Sequence, residues 1–268
     1  SERKAYVWWD ADAGRWTGHD NPDFVPPKRP DYVPPPGAEA EDALAGTDAF
    51  IMQADGKAWL YAPAGLADGP LPTHYEPVES PVANLLHEQQ DNPVREDIDR
   101  AWNRLNPAMS DAFPYVFCTY RLTEHHTAGG MSRFLGYLSE LQPEFFCEVS
   151  PALAAERGLE HLGWATLVSA RTAIEARVLV TERMKPLRIG DQVVHQIGLP
   201  YHWGPNGLSV GDAANDLLGV VMDPNVHIQE SKVATCDIQP GRRPRGPALL
   251  EFVESYRRKA GVQAGGIT

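Results

Sequence analysis

The stretch VSARTAIEARVLVTERMKPLRIGDQVVHQIGLPYHWG, residues 168–204, decides how the fold is read. Between Thr172 and Thr181, Ile174, Ala176, Val178 and Val180 alternate with Glu175, Arg177 and Leu179. A period of two sends the two sets to opposite faces of a pleated ribbon, so the segment reads as a half-buried strand. Val193 to Leu199 is a second strand, and its end carries the aromatic and imidazole groups of Gly-Leu-Pro-Tyr-His-Trp-Gly.

Further strands follow on both sides, at Tyr115 to Thr119, Phe145 to Val149, Trp164 to Ser169 and Val233 to Ile238. Small helices separate them. Ser132 to Leu141 places Phe134, Leu135, Leu138 and Leu141 at helical spacing. Ser150-Pro151 supplies a cap and a first-turn proline for a second helix, which Gly158 closes. Many short strands with small helices between them point to a mainly β protein built on a closed barrel. In the tail, Leu249, Phe252, Val253 and Tyr256 share one helical face that predicts docking on the body.

The first third is different. Residues 22–37, PDFVPPKRPDYVPPPG, hold too many prolines for regular structure. With Trp8, Trp9, Trp16, Phe24 and Tyr32 nearby, the segment is either a linker or a strap laid across another domain. Asp55-Gly56 within FIMQADGKAWLY (residues 50–61) signals a hairpin, and VREDIDRAWNRL (residues 94–105) has helical character. The expected organisation is an irregular strap, hairpin and helix over residues 1–109, a barrel over 110–240 and a helical tail over 241–268.

The chain has 268 residues, 43% of them hydrophobic, with a net charge of -12 from 24 Lys plus Arg against 36 Asp plus Glu. That balance disfavours nucleic acid, which needs clustered cations, but leaves room for a small phosphorylated ligand. No apolar run approaches the roughly 20 residues that span a bilayer. The chain opens on Ser1 with no signal-peptide pattern, as expected of a processed chain or a piece of a longer one. Cys118, Cys147 and Cys236 lie far apart among apolar neighbours and read as buried small hydrophobes, not cluster ligands.

Two loops can carry chemistry. TYRLTEHHTAGGMSR, residues 119–133, runs from a strand through two glycines into a helix. It is either an anion or nucleotide site, with loop N–H groups, hydroxyls and an arginine together, or an ordinary strand–helix turn. The His125-His126 pair is a poor metal site, because neighbouring side chains diverge on a strand or a helix. The second loop, from Gly198 to Gly204 and on through GDAAND (residues 211–216), either holds a fused-ring ligand by stacking and amide hydrogen bonds or is a Gly/Pro loop with a packed Trp. No nucleophile elbow, P-loop or dinucleotide fingerprint is present.

These stretches, with THYEPVESPVANLL (73–86), QPEFFCEVSPALAAERGL (142–159) and DPNVHIQESKVATCDI (223–238), resemble the C-terminal domain of the molybdopterin oxidoreductase superfamily. More narrowly, they resemble the large (alpha) subunit of molybdenum- or tungsten-dependent formate dehydrogenases. The resemblance implies a six-stranded double-psi β-barrel that covers a bis-molybdopterin guanine dinucleotide (bis-MGD) cofactor. By motif position, Arg121, Thr123, Glu124 and His125 would line the pterin and phosphate groups. His202, Trp203 and Asn215 would approach a pterin ring, with Lys232 nearby. The metal ligand, the substrate arginine and a 4Fe–4S cluster belong to the upstream part of the family, so the chain alone is expected to be inactive. The implied partners are the rest of the large subunit and an iron–sulfur electron-transfer subunit, in a periplasmic or membrane-associated complex, with a cytoplasmic one as the alternative. The chain departs from its relatives at Arg171-Thr172, where they carry Arg-Gly, and in residues 217–222 after the Asn. The rival readings are another molybdopterin enzyme or a non-catalytic β-barrel binding module.

Overall fold

The computed structural model describes residues 7–10, 12, 15–18, 36, 76–88, 90, 92, 95–201, 203–221, 229 and 232–262. The Asp55-Gly56 hairpin, all but Pro36 of the proline-rich segment, and His202 lie outside the described residues. The chain divides into two compact units, Ser1–Pro72 and Thr73–Thr268. In the first, β1 (Val7–Asp10) and β2 (Arg15–Gly18) form an antiparallel pair with Val7 opposite Gly18. Aromatic and β-branched residues that read as part of a strap therefore make a short ladder.

The second unit opens with a short helix, α1 (Arg95–Ile98). It continues through β3 (Tyr115–Tyr120), α2 (Gly136–Leu141), β4 (Phe146–Val149), α3 (Pro151–Arg157), β5 (Trp164–Val168) and β6 (Ala173–Val180). A small hairpin of β7 (Leu187–Ile189) and β8 (Gln192–Val194) leads to β9 (Gln196–Pro200), β10 (Val233–Pro240) and α4 (Pro247–Lys259). Six strands close into a barrel in the order β10-β3-β9-β4-β6-β5, as the sequence predicts. β3 runs parallel to β9 and β4 parallel to β6, while β4 and β9 meet antiparallel at Glu148 and Gly198. Closure leaves no unpaired barrel edge.

The barrel interior follows from the strand alternation. Phe117, Leu167, Ile174, Val178, Ile197, Leu199 and Ile238 are fully buried in one cluster with Cys147 and Cys236. Burial pushes the Cys147 thiol up to about 12, so it packs as a small apolar group. Cys118 is only half-buried, a departure from the reading of three interior cysteines. On β6 the alternation is overridden at Glu175, which is buried beneath Arg242 and Arg245.

Helix α3 begins and ends where the sequence places it. Ser150 Oγ accepts from Leu153 N–H at 3.1 Å, and Gly158 takes φ 65° at the C-terminal end. Helix α4 buries Val253, with Leu249, Phe252 and Tyr256, against Val168 and Ala173. The Tyr256 hydroxyl donates to Asp237 at 2.6 Å. Thr172 fits the β5–β6 turn because it needs no positive φ there, and its carbonyl accepts from Ser169 N–H.

One predicted element is turned over. Residues 132–141 form a 3-10 turn, Ser132–Phe134, followed by α2. The apolar positions expected to be buried, Phe134, Leu135 and Leu141, are exposed, and Leu138 is half-buried. Ser132, Arg133 and Ser139 face inward instead. The Arg133 guanidinium donates to the carbonyls of Gly204, Asn206 and Ser209, and Ser139 Oγ donates to Arg133 O at 3.0 Å. Loop carbonyls that would otherwise be buried without donors hold the polar side in place.

Candidate functional site

Strand direction gathers the candidate ligand groups at one end of the barrel. β3 and β9 run parallel with Tyr120 opposite Pro200, so the chain leaves both strands at the same end. β10 runs antiparallel to β3 with Val233 opposite Cys118, so the chain enters β10 there. Arg121, Tyr201 and Lys232 are the residues just outside these three strands. Arg121 Cζ lies 3.8 Å from the Tyr201 ring centroid, and Lys232 Nζ lies 5.4 Å from it. The ring quadrupole attracts both cations. Among the described residues, neither cation forms an ion pair. Two positive charges that converge on one ring are a natural seat for an anion. Beside Lys232 lies a recess of about 460 Å³, lined by Glu76, Val78, Val221 and Val233 among others.

The loop after β3 carries the other candidates. Thr123 is exposed and Glu124 half-buried. His125 is fully buried, and its ring meets Trp203 edge-on at 4.8 Å between centroids. Its Nε2 lies 2.9 Å from the Gln142 carbonyl, which can only accept, so Nε2 carries the hydrogen. Nδ1 then accepts from Ser132 Oγ at 3.2 Å, and that same oxygen accepts from His126 N–H. Both ring nitrogens are therefore engaged within the chain. Thr127 at φ 47° and Gly129 at φ 70° make the tight turn that brings Ser132 back to the histidine. Trp203 is also buried, against Phe145 and His125, and its indole N–H has no hydrogen-bond partner among the described residues. An unsatisfied buried donor of this kind costs roughly 1–3 kcal/mol unless something meets it.

Asn215 is exposed on a 3-10 turn, Ala214–Leu217, that packs against β6. Asp212, just before it, accepts from Glu175 N–H at 2.9 Å. No described contact joins Asn215 to Arg121, Tyr201 or Lys232. The structure thus brings Arg121 and Lys232 together, and His125 with Trp203, but leaves Asn215 apart. Sequence reasoning did not single out Tyr201, the ring shared by both cations, or Ser132, which orients His125. Tyr201 sits inside the quoted strand-end cluster, but nothing in the linear sequence shows what its ring will face. Among the described residues, no group of three or more His, Cys, Asp or Glu side chains could hold a metal ion.

Residues 115–235, which span most of the barrel, match the family described as the molydopterin dinucleotide binding domain. The chain is a molybdopterin oxidoreductase domain homologous to the alpha subunits of formate dehydrogenases. It is 39% identical over 239 residues to formate dehydrogenase subunit alpha of Megalodesulfovibrio gigas, across 85% of this chain and 21% of that protein. It is 34% identical to formate dehydrogenase 2 subunit alpha (cytochrome c-553) of Nitratidesulfovibrio vulgaris, across 88% of this chain and 22% of that protein. The nitrate-inducible formate dehydrogenase major subunit of Escherichia coli matches at 36%, again across 88% and 22%. The chain therefore spans about a fifth of the length of these relatives. The homology supports a molybdopterin-binding oxidoreductase role.

Proposed function

We propose that this chain is the cofactor-binding part of a formate dehydrogenase large subunit, seating a bis-molybdopterin guanine dinucleotide on the barrel end that carries Arg121 and Lys232. The observation that carries the proposal is the convergence of these two cations on Tyr201 with no ion-pair partner among the described residues. Pyrophosphate oxygens are anions of the right kind for an arginine fork beside a lysine point charge. The chain's own residues fit such a group. Thr123 offers a hydroxyl, Glu124 an acceptor for ring N–H donors, and Asn215 an exposed amide that both donates and accepts. His202 keeps its place in the proposal by motif position. Buried His125 and Trp203 act from behind, fixing the loop rather than lining its surface.

When bound, the cofactor supplies a molybdenum or tungsten centre able to take two electrons from formate as carbon dioxide forms. This chain neutralises, orients and covers the cofactor. Its partners in the proposal are the remainder of the large subunit, with a 4Fe–4S cluster, and an iron–sulfur electron-transfer subunit. In the proposal the complex is periplasmic or membrane-associated, with a cytoplasmic one as the alternative. No helix among the described residues is long and apolar enough to cross a membrane.

The test is cofactor retention. Arg121→Ala and Asn215→Ala in the natively purified protein should each lower pterin content per chain, and formate-dependent dye reduction should fall with it. Unchanged pterin content in both variants would sink the assignment.

A further inference from the structure

The segment that follows the His125 loop is inside out. Its inward side chains are Ser132, Arg133 and Ser139, all hydrogen-bonded. Its outward ones are Met131, Phe134, Tyr137 and Leu141, which are 75%, 57%, 86% and 69% exposed. Leu208, also exposed, lies beside this segment, its N–H donating to Arg133 O at 2.7 Å. Glu140 is the single charge between Phe134 and Leu141. The exposed apolar area is on the order of several hundred Å², comparable with the largest patch on a typical monomer, which is often functional.

We infer that this face is a docking surface for the polypeptide corresponding to the rest of a formate dehydrogenase alpha subunit, and that the surface it meets is apolar and uncharged. The inference rests on the proposed membership in a longer subunit. Three observations choose this occupant. The relatives carry roughly four-fifths of their length outside the matched part, so a large body of polypeptide must meet this domain somewhere. The patch is continuous with the loop of Arg121 to Gly130, so a body that covers it also borders the proposed cofactor seat. A lipid surface is disfavoured because interfacial segments flank their apolar face with Lys and Arg, and here Arg133 is turned inward. Burial of the patch is dominated by the hydrophobic effect, with charge contributing little.

Carbene footprinting of the natively purified protein tests this, with exposed Leu250 on α4 as the internal standard. Label at Met131, Phe134, Tyr137 and Leu141 should fall about tenfold below that at Leu250, as in the dry centre of an interface. A photo-crosslinker in place of Tyr137, Tyr137→p-benzoylphenylalanine, should join a polypeptide segment outside these 268 residues. Label equal to that of Leu250 would overturn the inference, as would cross-links joining only two copies of this chain. Pterin assayed in the same sample separates the two proposals. A protected patch without pterin supports docking and removes the cofactor reading, whereas a labelled patch with pterin present does the reverse.

Discussion

At the scale of single residues, Tyr201 holds the proposed seat together. A cation–π contact depends on the ring and not on the phenol oxygen, so Tyr201→Phe should keep Arg121 and Lys232 in place. Tyr201→Leu removes the ring and should weaken pterin retention about five- to thirtyfold, corresponding to roughly 1–2 kcal/mol. Equal retention in both variants would refute the role. A second residue, Glu175, ties part of the stability to acid pH. Burial works to raise the Glu175 carboxyl, but hydrogen bonds from Arg245 and Arg242 outweigh it and hold it at about 2, below its ordinary 4.5. A carboxyl that titrates lower when folded contributes stability above its unfolded pKa and loses it as pH falls through the folded one. Stability should therefore drain between about pH 4.5 and about 2. Glu175→Gln should be less stable near neutrality and flatter across that window, read from urea midpoints at each pH. Neither arrangement was legible in the sequence. Arg121 and Lys232 are far apart along the chain, and Glu175 occupies an alternating strand position that normally means solvent.

Among elements, the strands were readable because a period of two and the chemistry of Val, Ile and Phe act locally. Tyr115–Tyr120, Phe146–Val149, Trp164–Val168, Ala173–Val180 and Val233–Pro240 fall where the alternation or apolar runs place them, whereas the single strand read over Val193 to Leu199 is split, Val193 and Val194 ending β8 and Gln196–Pro200 forming β9. The caps of α3 were readable for the same reason. Helix α2 was not. Periodicity shows which residues share a face, but what the body offers decides which face turns inward. Here the body offers the carbonyls of Gly204, Asn206 and Ser209, which select Arg133 over Phe134. Strand packing makes its own prediction at Gly198, where an added Cβ would stand 2.8 Å from Tyr120 Cε1 and 3.3 Å from Glu148 Oε2. Gly198→Ala should destabilise the barrel by about 1–3 kcal/mol, because Tyr120 and Glu148 must shift within a packed site. Urea unfolding checks this. A midpoint unchanged from wild type would contradict this tight packing at Gly198.

Across the second unit, a buried network ties residues 76–106 to the barrel. Glu79 pairs with Arg171 at 2.6 Å and also accepts from Asn106 N–H and Thr235 N–H, while the Asn106 amide bonds Thr235 and Ala170. Arg171 further donates to the carbonyls of Leu217 and Arg104. The departure at Arg171-Thr172 thus keeps the residue that matters to this network and changes only its neighbour. The network depends on partners that the fold brings in from distant segments, so the sequence shows its members only as isolated polar residues. Motif resemblance supplied what local physics could not, namely which end of the barrel to propose as the ligand seat. The central claim is that this end seats a molybdopterin guanine dinucleotide, and it is tested most directly by acid release and chromatography of pterin and GMP from the natively purified protein. The account predicts both, released in proportion to the chain and reduced together in Arg121→Ala. Intact, natively folded protein that yields neither pterin nor GMP would contradict it.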